Sequence, residues 1–149
     1  MLRQRVKELK DGMEQRERLE NLIFSGPAIP APAQGEQVGE LMRGLLATHM
    51  SFSLDLDQVG AAFRLRNNSI MLKFKSASPN SDRDRLFRTK TRLRGSGLFI
   101  SESLTRKRQE IFRELLGLKR RRSIHAAFTE SGELFVRKTA ESSPEKILD

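Results

Sequence analysis

The chain has 149 residues, 37% hydrophobic and 32% charged, with a formal net charge of +9, which suits one ordinary domain or two small lobes. Cysteine is absent, which excludes disulfides, thiolate catalysis and cysteine-based zinc sites. No apolar run approaches the ~20 residues of a membrane span, and the opening residues turn charged too soon for a secretory leader, so neither is expected.

Residues 1–20 hold no proline and place Leu2, Val6, Leu9 and Met13 at d, a, d, a of a heptad, a short helical or coiled-coil segment. The next d position is Arg16, so the register weakens after two heptads, and a plain amphipathic helix fits equally well. The apolar run from Asn21 stops at Gly26-Pro27 and reads as a buried strand. A loop with three prolines follows to Gln34. Val38, Leu41, Met42, Leu45, Leu46 and Met50 then share one helix face between Gly35 and Met50.

Ser51–Asp57 alternates as an extended segment, and a second strand runs through Val59 to Arg66. Asn67-Asn68 signals a turn, with a third strand over Ser69–Lys75. Ser78–Asp82 breaks the chain and caps a helix expected from Arg83 to Leu93. Gly95 and Gly97 end it, and Leu98–Ser101 makes a fourth strand. Thr105 caps a further helix with Ile111, Phe112, Leu115, Leu116 and Leu118 on its buried side. Strands from Ile124 and Glu133 flank a turn at Gly132, and the polar tail over 139–149 is expected to be loosely ordered.

The fold class expected is therefore α+β. A β-α-β-β-α-β domain over 21–101, ferredoxin-like as in RNA-recognition motifs, follows the helical segment 1–20 and precedes a small helix–hairpin domain over 102–138.

Charge is concentrated between Arg83 and Arg122, where fourteen Lys and Arg face four carboxylates, a local +10. Such a footprint fits a polyphosphate partner, single-stranded RNA or DNA, although solvated helix faces also carry charge runs. Lys119–Arg122 reads either as a nuclear-localisation run or as a basic helix end complementing the macrodipole. Phe24 and Phe74 read as core, and Phe128 as a stacking platform or core. Binding led by the phosphate backbone and tolerant of sequence follows, with no small-molecule substrate. His49 and His125 are the only histidines and lack carboxylates at ligand spacing, so no metal, cofactor or catalytic residue is expected. Asp55 and Asp57 read as a solvated pair, and the fold class alone leaves enzymes open.

Several words in order resemble the nucleic-acid-binding half of the first-open-reading-frame proteins of LINE-type retrotransposons. They are Arg18-Leu-Glu-Asn-Leu-Ile-Phe-Ser-Gly-Pro, Ala62-Phe-Arg-Leu-Arg, Ser69-Ile-Met-Leu-Lys-Phe, Ile100-Ser-Glu-Ser-Leu-Thr and Thr129-Glu-Ser-Gly-Glu-Leu-Phe-Val-Arg. The baculovirus few-polyhedra protein is similar in build. The resemblance implies a trimerising coiled coil, an RNA-recognition-like domain and a small C-terminal domain. It further implies a basic cleft between the two lobes for single-stranded nucleic acid, and a role as ribonucleoprotein coat and nucleic-acid chaperone. By the same resemblance, Arg64 matches an arginine ending the second strand, Arg88 and Lys90 match basic positions of the second helix, and Arg113 matches an essential helix arginine. The chain departs from the pattern in its short stalk and in Phe112, which stands where the family has a basic residue.

The contacts expected are Arg64, Arg66, Arg88, Lys90, Arg92, Arg106, Arg108, Arg113, Arg120, Arg121 and Arg122. A basic face docking an acidic protein is the alternative. A homo-oligomer through the N-terminal helix and a cytoplasmic or nuclear location complete the expectation.

Overall fold

Leu22 and Phe24 alternate with half-exposed neighbours, as do Ile70, Leu72 and Phe74, so each stretch can bury one side of a strand and leave the other open. The computed structural model describes residues 2–147 and realises that pattern in an α+β fold. Its helices are α1 (Leu2–Glu17), α2 (Val38–Met50), α3 (Asp82–Arg88) and α4 (Arg106–Arg120). Its strands are β1 (Asn21–Ser25), β2 (Val59–Arg64), β3 (Ile70–Phe74), β4 (Phe99–Glu102), β5 (Ala126–Glu130), β6 (Glu133–Arg137) and β7 (Glu145–Lys146). Among the described residues they form two antiparallel sheets, of order β2-β3-β1-β4 and β5-β6-β7. No described helix is long and apolar enough to cross a membrane.

Two compact units result, residues 20–101 and residues 1–19 together with 102–149. In the unit 20–101, Leu22 pairs with Leu72 and Phe24 with Ile70, while Ala62 and Arg64 oppose the same two β3 residues from the other side. Met42, Leu46 and Met50, one turn apart on α2, and Leu86 and Phe87 of α3 cover that face. The β2–β3 connection uses the left-handed tolerance of asparagine twice, at Asn67 (φ 62°) and Asn68 (φ 64°). Buried Asp82 at the start of α3 ties that helix to the segment between α2 and β2, accepting from the backbone of Asp55 at 2.9 Å.

The other unit has a small apolar core of Leu115, Ala127, Leu134 and Val136, edged by Ile111, Phe112, Leu116 and Leu118. A polar clamp joins α1 to it. Gln15 donates to the Ser103 carbonyl and accepts from the Thr105 amide, both at 2.9 Å. Asp11 accepts from the Thr105 hydroxyl at 2.6 Å and from Arg108 Nε at 2.9 Å. Arg108 also donates to the Gly132 carbonyl at 2.7 Å, and its side chain is only 8% exposed. Gly132 has φ 77°, and an added Cβ would fall 2.6 Å from the Gln15 side chain, so the hairpin turn needs glycine on two counts.

Four sequence expectations change here. The helix expected over Arg83–Leu93 is broken at Thr89, whose hydroxyl bonds the Arg85 carbonyl; α3 ends at Arg88 and a 3₁₀ turn carries Lys90–Leu93. The segment read as extended enters a 3₁₀ turn at Leu56, where the Asp55 carboxylate accepts from the Asp57 amide. Residues 1–20 read from the sequence as a segment of their own, whereas residues 2–19 fall in the same compact unit as the C-terminal helix and hairpin. The tail contains β7, which pairs Glu145 with Val136 and Lys146 with Phe135. Met1 and residues 148–149, the ends of the expected helical segment and tail, lie outside the described residues.

Burial pushes the Asp11 carboxyl up, but hydrogen bonds from Thr105 and Arg108 outweigh it and hold the group below its ordinary 3.8. A depressed folded-state value contributes stability that is present above pH 3.8 and is lost as pH falls through the folded value. Asp11→Asn should cost about 2–3 kcal/mol at neutral pH, at or below the usual range for a broken buried pair because Glu133 still faces Arg108. Thermal unfolding followed by circular dichroism checks this, and the difference between native and variant should shrink in acid.

Candidate nucleic-acid interface

Helix α4 is the most ordered display of positive charge. Thr105 caps it by accepting from the Arg108 amide, and its apolar residues occupy one side. Arg106, Arg113 and Arg120 recur every seven residues on the opposite side, roughly 10.5 Å apart along the axis. All three are exposed, and Gly117 lies on the same stripe with no side chain to shield them. Glu110 is the one carboxylate on the stripe and pairs with Arg106 at 3.3 Å, an exposed contact. Arg121 and Arg122 extend the exposed run past the helix end, where Arg122 turns left-handed at φ 62°.

Arg108 lies on the same helix but belongs to the interior. Its guanidinium is held by Asp11, the Gly132 carbonyl and Glu133, so it is a structural cation and not a phosphate contact. Arg64 is held in a similar way at the end of β2. It donates to both Glu36 oxygens, at 2.6 and 2.9 Å, and to Asn68. The hydrogen bond from Arg64 is the main cause that keeps the Glu36 carboxyl below its usual range, and the same bond raises Arg64.

The remaining expected residues sit in the unit 20–101. Arg66 is exposed in the turn after β2. Arg88 is exposed at the end of α3, paired with Asp84 at 3.1 Å and bonded to Asn80. Lys90 is half-buried with its ammonium 3.9 Å from the Phe87 ring centroid, and Arg92 is exposed on the same 3₁₀ turn. Buried Arg83 also lies against Phe87.

Sequence reasoning missed three features. A depression of about 430 Å³ in the C-terminal unit is lined by Lys119, Arg122, His125 and Lys138, with Ile124 and Thr139 and without a carboxylate. Its parts come from α4 and the hairpin end, which proximity in sequence does not reveal. Phe63 and Phe99 are exposed on the four-stranded sheet, whereas Phe24 and Phe74 are buried as expected. Lys73 stands beside Phe63 on that sheet. The strand phase carried this signal, because Ala62 and Ile100 face inward and their neighbours must therefore face out. Phe128 stacks on Phe135 across the hairpin, with centroids 5.4 Å apart.

Compared with known proteins, the chain matches no family model and no curated protein.

Arg113→Ala should leave stability within about 0.5 kcal/mol of native, as befits an exposed residue, whereas Arg64→Ala should lower the melting temperature measurably. Differential scanning calorimetry of both variants tests the division, and equal shifts would contradict it.

Proposed function

We propose that the chain binds single-stranded nucleic acid, with RNA the first ligand to test, through phosphate contacts that tolerate any sequence. One observation carries this reading: Arg106, Arg113 and Arg120 line one exposed stripe of α4, continued by Arg121 and Arg122 and opposed on it by Glu110 alone. Arginine suits the task because its planar fork grips phosphate oxygens in pairs, and each neutralised phosphate releases a counterion. Arg66, Arg88, Lys90 and Arg92 are the contacts proposed for the unit 20–101.

The β-α-β-β-α-β succession and the sheet order β2-β3-β1-β4 support assigning that unit to the ferredoxin-like, RNA-recognition-like class. With the sequence words quoted above, they support kinship to LINE-type first-open-reading-frame proteins and a chaperone-like ribonucleoprotein role. A protein-interaction reading has one specific observation in its favour. Leu2, Val6, Leu9 and Met13 are exposed along α1 at heptad spacing, a seam that self-association would cover.

Replacing Arg106, Arg113 and Arg120 together by alanine should weaken binding to a single-stranded RNA at least tenfold at moderate salt. The salt dependence should flatten by about 2 in slope, at roughly 0.7 per lost contact. Fluorescence anisotropy measures both. Unchanged affinity in a folded variant would refute the assignment of α4.

A further inference from the structure

The depression of about 430 Å³ in the C-terminal unit is built from three pieces of chain. Lys119 and Arg122 come from the end of α4, Ile124 and His125 from the entry to the hairpin, and Lys138 and Thr139 from its exit. The β5–β6 register brings the last two pieces together. It pairs Ala126 with Arg137, so His125 stands opposite Lys138 one step further on, and the His125 amide donates to the Arg137 carbonyl at 2.8 Å.

The helix end is closed by a backbone cap. The Arg122 amide donates to the Lys119 carbonyl at 3.0 Å and the Ser123 amide to the Leu118 carbonyl at 2.9 Å, with Arg122 left-handed at φ 62°. Glycine is the usual residue at that position, because a side chain there is strained. Backbone outliers of this kind gather at ligand clamps. The cap also bonds the carbonyls of Gly117, Leu118 and Lys119, which weakens the repulsion that a helix C-terminus exerts on an anion. Its amides are engaged in the same bonds, so an anion in the depression is held by side chains.

Those side chains fit one kind of group. Lys119, Arg122 and Lys138 are cations, and the His125 ring donates a hydrogen bond in either protonation state. Thr139 adds a hydroxyl, 2.6 Å from that of Ser142. No carboxylate lines the depression; Glu145 reaches Lys138 at 3.7 Å in an exposed pair. The α4 stripe offers single arginines spaced along a line, as successive phosphodiesters of one charge each require. The depression instead gathers its donors around one concavity, which fits a compact anion of higher charge. A phosphomonoester is such a group, with about −1.5 to −2 charges at pH 7 and three acceptor oxygens. The volume falls in the roughly 300–1,000 Å³ range of small-ligand sites, so the sugar bearing the phosphate has room beside Ile124.

We propose that this depression receives the terminal phosphate of a nucleic-acid strand, with Lys119, Arg122, Lys138 and His125 around its oxygens. The inference rests on the nucleic-acid reading and adds recognition of a strand end to it. Arg122 also continues the α4 stripe, so it joins the end site to the path of internal phosphates.

The test compares single-stranded RNAs of about twelve nucleotides that differ only at their ends, carrying a 5′-phosphate, a 3′-phosphate or hydroxyls at both. The native chain should bind one of the phosphorylated strands about tenfold more tightly than the hydroxyl-ended strand, as one added charge-assisted contact implies. Lys119→Ala and Lys138→Ala, made singly, should each reduce that ratio to about twofold or less. Arg3→Ala removes an exposed cation of α1 and should leave the ratio unchanged, which separates a site from general attraction. Unfolding temperatures confirm that the variants fold, and because the two lysines lie on different pieces of chain, either variant suffices if the other is unstable. An equal ratio loss in Arg3→Ala would overturn the end site. So would the absence of any end preference in the native chain; if inorganic phosphate then still raised the unfolding temperature at matched ionic strength, the depression would belong to free phosphate. Binding of the hydroxyl-ended strand would in either case leave the nucleic-acid reading intact. Failure to bind any strand at about 50 mM salt would remove that reading and this inference with it.

Discussion

Burying a guanidinium is costly unless every donor finds an acceptor, and Arg108 is buried. Its partners come from far along the chain: Asp11 from α1, and the Gly132 carbonyl and Glu133 from the hairpin. Meeting one side chain's needs thus fixes α1, the start of α4 and the β5–β6 turn together. The apolar core of this unit, four buried residues with a partly buried rim, is small for such a task. Gln15 and Thr105 complete the arrangement, and every buried side-chain polar atom among the described residues has a partner. The clamp is directional where apolar packing is not, so it determines which face of α1 turns inward. That choice leaves Leu2, Val6, Leu9 and Met13 facing outward.

The same electrostatic rule divides the arginines by role. Where a carboxylate is held within reach by the fold, as Glu36 is for Arg64, the cation serves the structure. Where the nearest carboxylate is an exposed helix neighbour, as Glu110 is for Arg106, the pair contributes little to stability. Arg113 and Arg120 are exposed on the same stripe. Net charge alone does not distinguish these cases, because a buried arginine and an exposed one count equally toward +9.

Much of the fold was legible because periodicity is local. Met42, Leu46 and Met50 mark α2, Thr105 marks the start of α4, and Asn67-Asn68 marks the β2–β3 turn. The clamp was not legible, since Asp11 and Arg108 are 97 residues apart and each reads alone as part of a solvated charged face. The break at Thr89 was hidden because a single hydroxyl competing for a helix carbonyl leaves the apolar pattern unchanged. β7 escaped notice because its two residues are polar and are ordered by pairing with β6. Of the candidate site, the α4 arginines could be listed from sequence but not sorted. Arg113 and Arg108 differ only in which side of the helix they occupy and in what waits there. Phe63 and Phe99 were overlooked because aromatic residues in strands usually face the core, and only the observed strand phase turns these two outward.

Binding of the native chain to a labelled single-stranded RNA, titrated across salt from about 50 to 300 mM, tests the central claim most directly. Nine cations that each meet a phosphate should give a linear fall of log K against log salt, with a slope of about −6 at roughly 0.7 per contact. A slope near zero, or no binding at the lowest salt, would contradict it.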